Sequence, residues 1–225
     1  MKRLFVLRPE PGASETAARA CEAGLDAVVM PLFEVEPIAW QPPEAAGFDA
    51  LLLTSANALR HGGDGLQALR GLPVHAVGAA TAQAAREAGF GIASTGNAGV
   101  ERLLGSIDPE LRLLHLCGED RHETHERQAI TAVPVYRSAE IGAPDGLARI
   151  GGEVAAVHSP RAGARLRAAI DEAGVATSSV SIAAISTAAA EAAGTGWARC
   201  EAADEPNDPA LLAIAARLCG APGSR

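Results

Sequence analysis

The chain has 225 residues, 48% hydrophobic and 20% charged, which is enough apolar material for one large domain or two small ones. The charges form no long single-sign blocks, which excludes wholesale disorder, and no apolar run approaches the ~18 residues of a membrane span. A net charge of −8 argues against a nucleic-acid partner and means that any anionic ligand is held by local features, against the average field.

In chain order, Arg3 to Leu7 reads as a strand, interrupted by Arg8 and Pro9 too early for a signal-peptide core, so the expected location is cytoplasmic. Ser14 to Ala23 reads as a helix and Ala27 to Met30 as a strand. Pro31 to Pro37 alternates apolar with charged residues between prolines and reads as an extended hinge. Ala50 to Leu53 is a strand followed at once by Thr54-Ser55-Ala56-Asn57 and a short helix ending near Gly62-Gly63. Val74 to Val77 is a strand, Thr81 to Ala88 a helix, and a short strand follows Gly89. Cys117 closes a further strand, and Val133-Pro134-Val135-Tyr136-Arg137 is a second extended hinge. Val154 to Val157 precedes a helix running to Ala173, Ile182 to Ile185 precedes a helix to Ala193, and Asp208 to Leu218 forms the last helix. Short, continuously apolar strands alternating with helices imply parallel sheets covered on both faces.

An internal repeat runs through this alternation. Leu51 to Asn57 with Ala76 to Ala82 is echoed by Ala155 to Arg161 with Ala184 to Ala189, at an offset of about 104–108 residues. That is far longer than a solenoid period and fits two similar α/β domains. Each copy puts a small hydroxyl or glycine at its strand-to-helix junctions: Ser55 with Asn57 following, Gly78 with Thr81, Ser159 with Arg161 following, and Ser186. Such junctions lie at the carboxyl ends of parallel strands, where open α/β sheets bind ligands and helix amides favour negative charge. The competing role for Ser55, Ser159 and Ser186 is plain helix capping, the commonest use of such residues. Arg8, just beyond the first strand, either meets an anion or makes a surface ion pair. Tyr136, the only tyrosine, is either a hydroxyl facing a cleft or a β-former on an edge strand.

Other chemistries find little support. His122-Glu123-Thr124-His125 is one residue short of H-E-x-x-H and reads as a solvated polar loop, so no metal is expected. Lys2 is the only lysine among the nineteen lysines and arginines, which removes Schiff-base catalysis, and no phosphate-binding glycine loop is present. Cys21, Cys117, Cys200 and Cys219 are widely spaced and read as reduced core residues.

The ordered set Leu7-Arg8-Pro9, Thr54-Ser55-Ala56-Asn57-Ala58, Ala76 to Ala82, Val135-Tyr136-Arg137, His158-Ser159-Pro160-Arg161, Ile185-Ser186 and Glu205 to Leu212 resembles the uroporphyrinogen-III synthase family. Leu7 stands where that family often has threonine, and Gly118 to Ile130 is short and charged where it usually has a helix. The resemblance implies two flavodoxin-like α/β domains with parallel sheets, joined by a two-stranded linker, with the active-site cleft between them. It places residues 1–33 and 140–225 in a discontinuous first domain, 38–132 in the second, and 34–37 with 133–139 in the linker. It implies a cofactor-free, metal-free lyase that closes hydroxymethylbilane, a linear tetrapyrrole with eight carboxylates, to uroporphyrinogen III with inversion of ring D through a spiro-pyrrolenine. Tyr136 would assist departure of the hydroxyl, while Arg8, Ser55, Asn57, Gly78, Thr81, Ser159, Arg161 and Ser186 would hold the substrate. A monomer is expected, with hydroxymethylbilane synthase as a transient partner and neither nucleic acid nor membrane bound. The alternative is a non-catalytic two-lobed module for an anionic small molecule or tetrapyrrole. A flavodoxin-like regulatory domain is disfavoured by the duplication and by the lack of an acidic phosphoacceptor cluster after the first strand.

Overall fold

The computed structural model describes residues 1–97, 99–120 and 128–220. The elements in order are β1 (Leu4–Val6), α1 (Gly12–Glu22), β2 (Ala27–Val29), β3 (Phe33–Pro37), β4 (Ala50–Leu53), α2 (Asn57–His61), β5 (Val74–Val77) and α3 (Ala79–Glu87). There follow β6 (Ile92–Gly96), α4 (Val100–Leu104), β7 (Arg112–Gly118), β8 (Ala129–Glu140), β9 (Val154–Val157) and α5 (Pro160–Glu172). The chain closes with β10 (Ser181–Ala184), α6 (Thr187–Ala193), β11 (Arg199–Ala202) and α7 (Asp208–Cys219). It divides into two compact units, Met1–Glu34 with Ala139–Arg225, and Val35–Ser138, so the boundaries fall within β3 and β8.

The first unit holds a five-stranded sheet in the order β11-β10-β9-β1-β2, every pairing parallel. Successive strand residues point to opposite faces, so the apolar runs supply two cores at once. Phe5, Leu7, Ala155, Val157, Ile182 and Ala184 pack with Leu166, Ala169 and Ile170 of α5 and Ala189 of α6. Leu4, Val6, Val154, Ala156 and Ala183 pack on the other face with Ala13 and Ala20 of α1 and with Leu211, Ile214 and Ala215 of α7. Layers on both faces explain why these strands read as unbroken apolar segments.

The second sheet has the order β3-β8-β7-β4-β5-β6, and its β4–β5, β4–β7, β5–β6 and β7–β8 pairings are parallel. One face buries Leu51, Leu53, Val74, Ala76, Leu114 and Leu116 with Ala58 of α2 and Ala82 and Ala85 of α3. The other face is thinner, with Ala50, Leu52 and Leu113 against Leu103 and Leu104 of the five-residue α4. The two repeat copies are β4–β5 in one unit and β9–β10 in the other, each a pair of adjacent parallel strands.

The structure adds two elements that the apolar pattern did not announce. β11 is an edge strand whose Arg199 and Cys200 face solvent, so it carries no apolar run, and α4 is too short to express a helical period. None of the four cysteines forms a disulfide, and Cys117 and Cys219 are buried. Cys21 and Cys200 are exposed, contrary to the core expectation, because one lies on the outer side of α1 and the other on an edge strand. His122 to His125 lie outside the described residues.

The approach of α5 to α6 in the first unit depends on Gly163. A Cβ added there would lie 2.6 Å from the Ala189 carbonyl oxygen and 2.9 Å from the Ala193 nitrogen, both backbone atoms of α6. Backbone cannot swing aside as a flexible side chain can. Gly163→Ala is therefore expected to destabilise the protein by about 1–3 kcal/mol despite alanine's better helix propensity, measured as a fall in the urea midpoint. An equal or higher midpoint would show that α5 and α6 separate freely.

Candidate functional site

In each sheet the chain order reverses once. In the first, β1 leads outward to β2, while β9, on the other side of β1, leads outward to β10 and β11. In the second, β4 leads to β5 and β6, and β7, on the other side of β4, leads to β8. Connections leaving neighbouring strands in opposite directions open a crevice at the strands' carboxyl ends, the usual ligand position in open α/β sheets. The crevices lie beyond β1/β9 and beyond β4/β7, and each collects a polar cluster.

At β4/β7 the centre is Tyr136. It sits on β8 opposite Gly118, where the register between β7 and β8 shifts. A Cβ on Gly118 would lie 2.9 Å from the Tyr136 ring carbon Cε2 and 3.2 Å from the hydroxyl, so the missing side chain lets the ring lie against β7. Ser55, just beyond β4, lies beside the half-buried phenol. Burial pushes the Tyr136 pKa up, Ser55 opposes the rise, and Cys117 adds to it. Tyr136 therefore keeps its proton through neutrality. The His61 ring of α2 lies 6.3 Å away, centroid to centroid, and burial followed by the Arg60 charge lowers its pKa. Thr54 Oγ1 is 3.1 Å from His115 Nε2 on β7, tying together the two strands that form the crevice.

At β1/β9 the centre is Asp208, in the first turn of α7. Asn207 caps that helix by accepting the Ala210 N–H at 2.9 Å. Thr16 of α1 donates to Asp208 Oδ2 at 2.7 Å, and Arg19 donates to the same oxygen through Nε at 3.2 Å and through Nη2. Arg8 Nη1 reaches Asp208 Oδ1 at 3.5 Å and Thr16 Oγ1 at 3.4 Å. Its guanidinium lies over Gly12, where a Cβ would come within 2.7 Å of Nε. His158, just beyond β9, holds Nε2 3.4 Å from Asp208 Oδ1. Burial pushes the Asp208 carboxyl up, but His158, Thr16 and Arg19 outweigh it and hold the group well below the usual carboxylate range.

The sequence-derived residues divide between ligand-ready and local roles. Ser55 both accepts the Asn57 N–H at 3.2 Å and meets Tyr136. Asn57 opens α2 and accepts from Arg60 at 3.1 Å. Ser159 and Ser186 are the N-caps of α5 and α6, accepting from Ala162 at 3.1 Å and Ala189 at 3.3 Å, so capping is a role that both fill. Gly78 adopts φ +87° at the start of α3, a conformation that favours glycine, and donates to the Gly96 carbonyl at 2.7 Å. Thr81, expected to line the cleft, is buried on the inner face of α3. Arg161 is engaged locally, its guanidinium 4.9 Å from the Phe33 ring centroid and 3.8 Å from Glu140. Arg8 makes the ion pair named as its simpler role. Thr16, Arg19, His61, Gly118 and Asp208 were not singled out from the sequence. Asp208 stands 200 positions from Arg8, and no local spacing links the two.

Comparison with known proteins identifies a family and a fold. Residues 14–213 match the family described as "Uroporphyrinogen-III synthase HemD". A crystal structure of uroporphyrinogen-III synthetase from Helicobacter pylori superposes with a TM-score of 0.65 at 15% identity, covering 97% of this chain and 100% of that one. A mutant uroporphyrinogen III synthase from the extremely thermophilic bacterium Thermus thermophilus superposes with a TM-score of 0.51 at 18% identity, covering 97% and 98%. At these identities the likeness is one of fold. No protein with a curated description matches the chain.

The ionised Asp208 carboxylate stabilises the first unit, and a carboxyl whose pKa is lowered by folding loses that contribution as pH falls. Asp208→Asn is expected to have a lower urea midpoint than the wild type at pH 7. The gap should shrink as pH drops below about 4, where the unfolded chain's carboxyl begins to take up its proton. A gap that stays constant down to pH 2 would show that Asp208 acts by shape, not charge.

Proposed function

We propose how this chain, which belongs to the uroporphyrinogen-III synthase family, carries out the family's reaction. Hydroxymethylbilane enters as a flexible chain of four pyrroles with eight carboxylates and leaves as uroporphyrinogen III and one water. Loss of the terminal hydroxyl gives an azafulvene, attack on ring D gives a spiro-pyrrolenine, and rearrangement closes the ring with D inverted. No oxidant, reductant or metal is needed for the balance. Without an enzyme the bilane closes to the type I ring, so the protein's task is to hold one near-attack geometry and assist departure of the hydroxyl.

The observation that carries the residue assignment is Tyr136, laid over Gly118 at the β4/β7 crevice with Ser55 beside its phenol. Its raised pKa keeps the phenol protonated, the form able to donate a hydrogen bond or proton to the departing hydroxyl. Ser55 orients it, and the nearby His61, its pKa lowered, adds no fixed positive charge that would favour the phenolate. Water forms from the substrate hydroxyl and that proton, and the proton lost in the final rearrangement restores the balance.

Substrate carboxylates are proposed to meet helix-terminal amides and a few cations: Arg8 at β1/β9, with Ser159, Ser186, Asn57 and Gly78 contributing junction amides. The buried Thr81 supports α3 from within, and Arg161 contributes through its hold on Glu140. A flavodoxin-like, doubly wound arrangement in both units is supported by the single reversal of strand order in each sheet. A cytoplasmic monomer that meets hydroxymethylbilane synthase transiently fits a chain in which no helix among the described residues is long and apolar enough to cross a membrane.

The test generates hydroxymethylbilane in the presence of the purified protein and separates the oxidised porphyrins. The wild type is expected to give mainly the type III isomer, and type I alone from folded protein would favour the non-catalytic binding module. Tyr136→Phe is expected to slow type III formation by about tenfold to a hundredfold while leaving the fold intact. The wild-type rate should show no decline between pH 7 and 9 from loss of the tyrosine proton, because the shift moves that loss upward. An unchanged rate in the variant would remove the proposed role of the hydroxyl.

A further inference from the structure

Once Tyr136 has given its proton to the departing hydroxyl, the site holds a phenolate and stays idle until a proton returns. The same reaction later releases one. The carbon that makes the closing bond carries a hydrogen that must leave before its pyrrole is aromatic again. Bulk water is a poor carrier between these two points, since a site that holds a reactive azafulvene has to keep water out. A side chain that accepts the second proton and passes it to the phenolate completes the cycle.

His61 has the position for this. Its ring lies 6.3 Å from that of Tyr136, centroid to centroid, at 39° to it, close enough for a proton to pass directly or through one water. The residue is partly exposed, and neither ring nitrogen is hydrogen-bonded among the described residues, so both are available to a substrate. The turn that carries it is fixed in place. Trp40 donates its indole N–H to the Gly62 carbonyl at 2.9 Å, and a Cβ on Gly62 would lie 2.6 Å from the Ala58 carbonyl oxygen. The other groups about the phenol are less suited. Ser55 is no base at neutral pH, and the Cys117 thiol is buried. His115 is only 5% exposed, with Nε2 3.1 Å from Thr54 Oγ1.

Resting on the synthase reading and on Tyr136 as its proton donor, we propose that His61 is a second catalytic residue, the base that removes the last proton and returns it to Tyr136. At the start, the Tyr136 O–H bond breaks as the C–O bond of the substrate's hydroxymethyl group breaks, giving water, a phenolate and the cationic azafulvene. At the end, an imidazole nitrogen of His61 takes the proton from the ring-closing carbon, and the C–H electron pair restores the pyrrole. The imidazolium then gives a proton to the phenolate oxygen, and both side chains stand as they began. Nothing is oxidised or reduced. An imidazolium is a far stronger acid than a phenol, and burial widens the difference by lowering the one pKa and raising the other, so this last transfer runs downhill. The charges about the imidazole act in the same sense. Arg60 on its own helix disfavours the imidazolium, and a phenolate at Tyr136 favours proton uptake only after the hydroxyl has left.

The test measures kcat and KM for type III formation in the wild type, His61→Ala and His61→Phe, the alanine variant with and without added imidazole. His61→Phe keeps a flat ring beside Tyr136 and lacks the nitrogens. In both variants kcat is expected to fall about tenfold to a hundredfold, with KM within about twofold of wild type. Free imidazole is expected to restore much of the rate in His61→Ala and none in His61→Phe, whose ring fills the space. A histidine that only packs would leave His61→Phe active and give imidazole nothing to restore. Wild-type kcat in either variant, or a folded His61→Ala that imidazole does not accelerate, overturns the proposal and leaves the synthase reading standing. If His61→Ala does not fold, kcat in His61→Phe decides. Tyr136→Phe at the wild-type rate removes the donor and this proposal with it, and a wild type that yields only the type I ring overturns the synthase reading as well.

Discussion

The parallel sheet governs everything else in this protein. When neighbouring strands run the same way, their carboxyl ends lie along one edge, and each must be linked to the next by a crossover, mostly helical here, that covers a face. Reversing the strand order once opens a crevice at that edge, and in both units the reversal falls where polar side chains collect. Tyr136, Ser55, His61 and the Thr54–His115 pair gather at β4/β7, and the Asp208 cluster gathers at β1/β9. The repeat evident in the amino-acid order is the trace of this shared architecture.

The two crevices are chemically different. The β4/β7 cluster is built from polar donors and acceptors: a protonated phenol, two hydroxyls and two imidazoles, of which that of His61 has its pKa lowered by burial and by Arg60. The β1/β9 cluster is built around charge, with two guanidiniums and the His158 ring about one carboxylate. An acidic protein that binds an octacarboxylate needs its attraction concentrated, because its average field is repulsive.

Small residues make these clusters possible. Gly118 lets the Tyr136 ring lie against β7, Gly12 lets Arg8 fold over the start of α1, and Gly163 lets α5 approach the α6 backbone. At each position even a methyl group would meet an atom at less than 3.0 Å. Glycine here is a matter of space, whereas Gly78 at the head of α3 is a matter of a positive φ.

The sequence by itself determined the local structure and the family. Apolar runs such as Ala50 to Leu53 and Val154 to Val157 match β4 and β9 residue for residue, because a strand buried on both faces has no polar positions to blur its ends. The caps Ser159 and Ser186 were legible because a cap acts on amides two or three residues away. Tyr136 was legible as the lone tyrosine in an ordered set of motifs. What only the tertiary structure decided is which distant side chains meet. The pairing of Arg8, Arg19 and His158 with Asp208, the seat of Tyr136 on Gly118 and the burial of Thr81 are set by strand order and helix packing. Residues up to 200 positions apart become neighbours only when the sheet assembles, and no local periodicity carries that information.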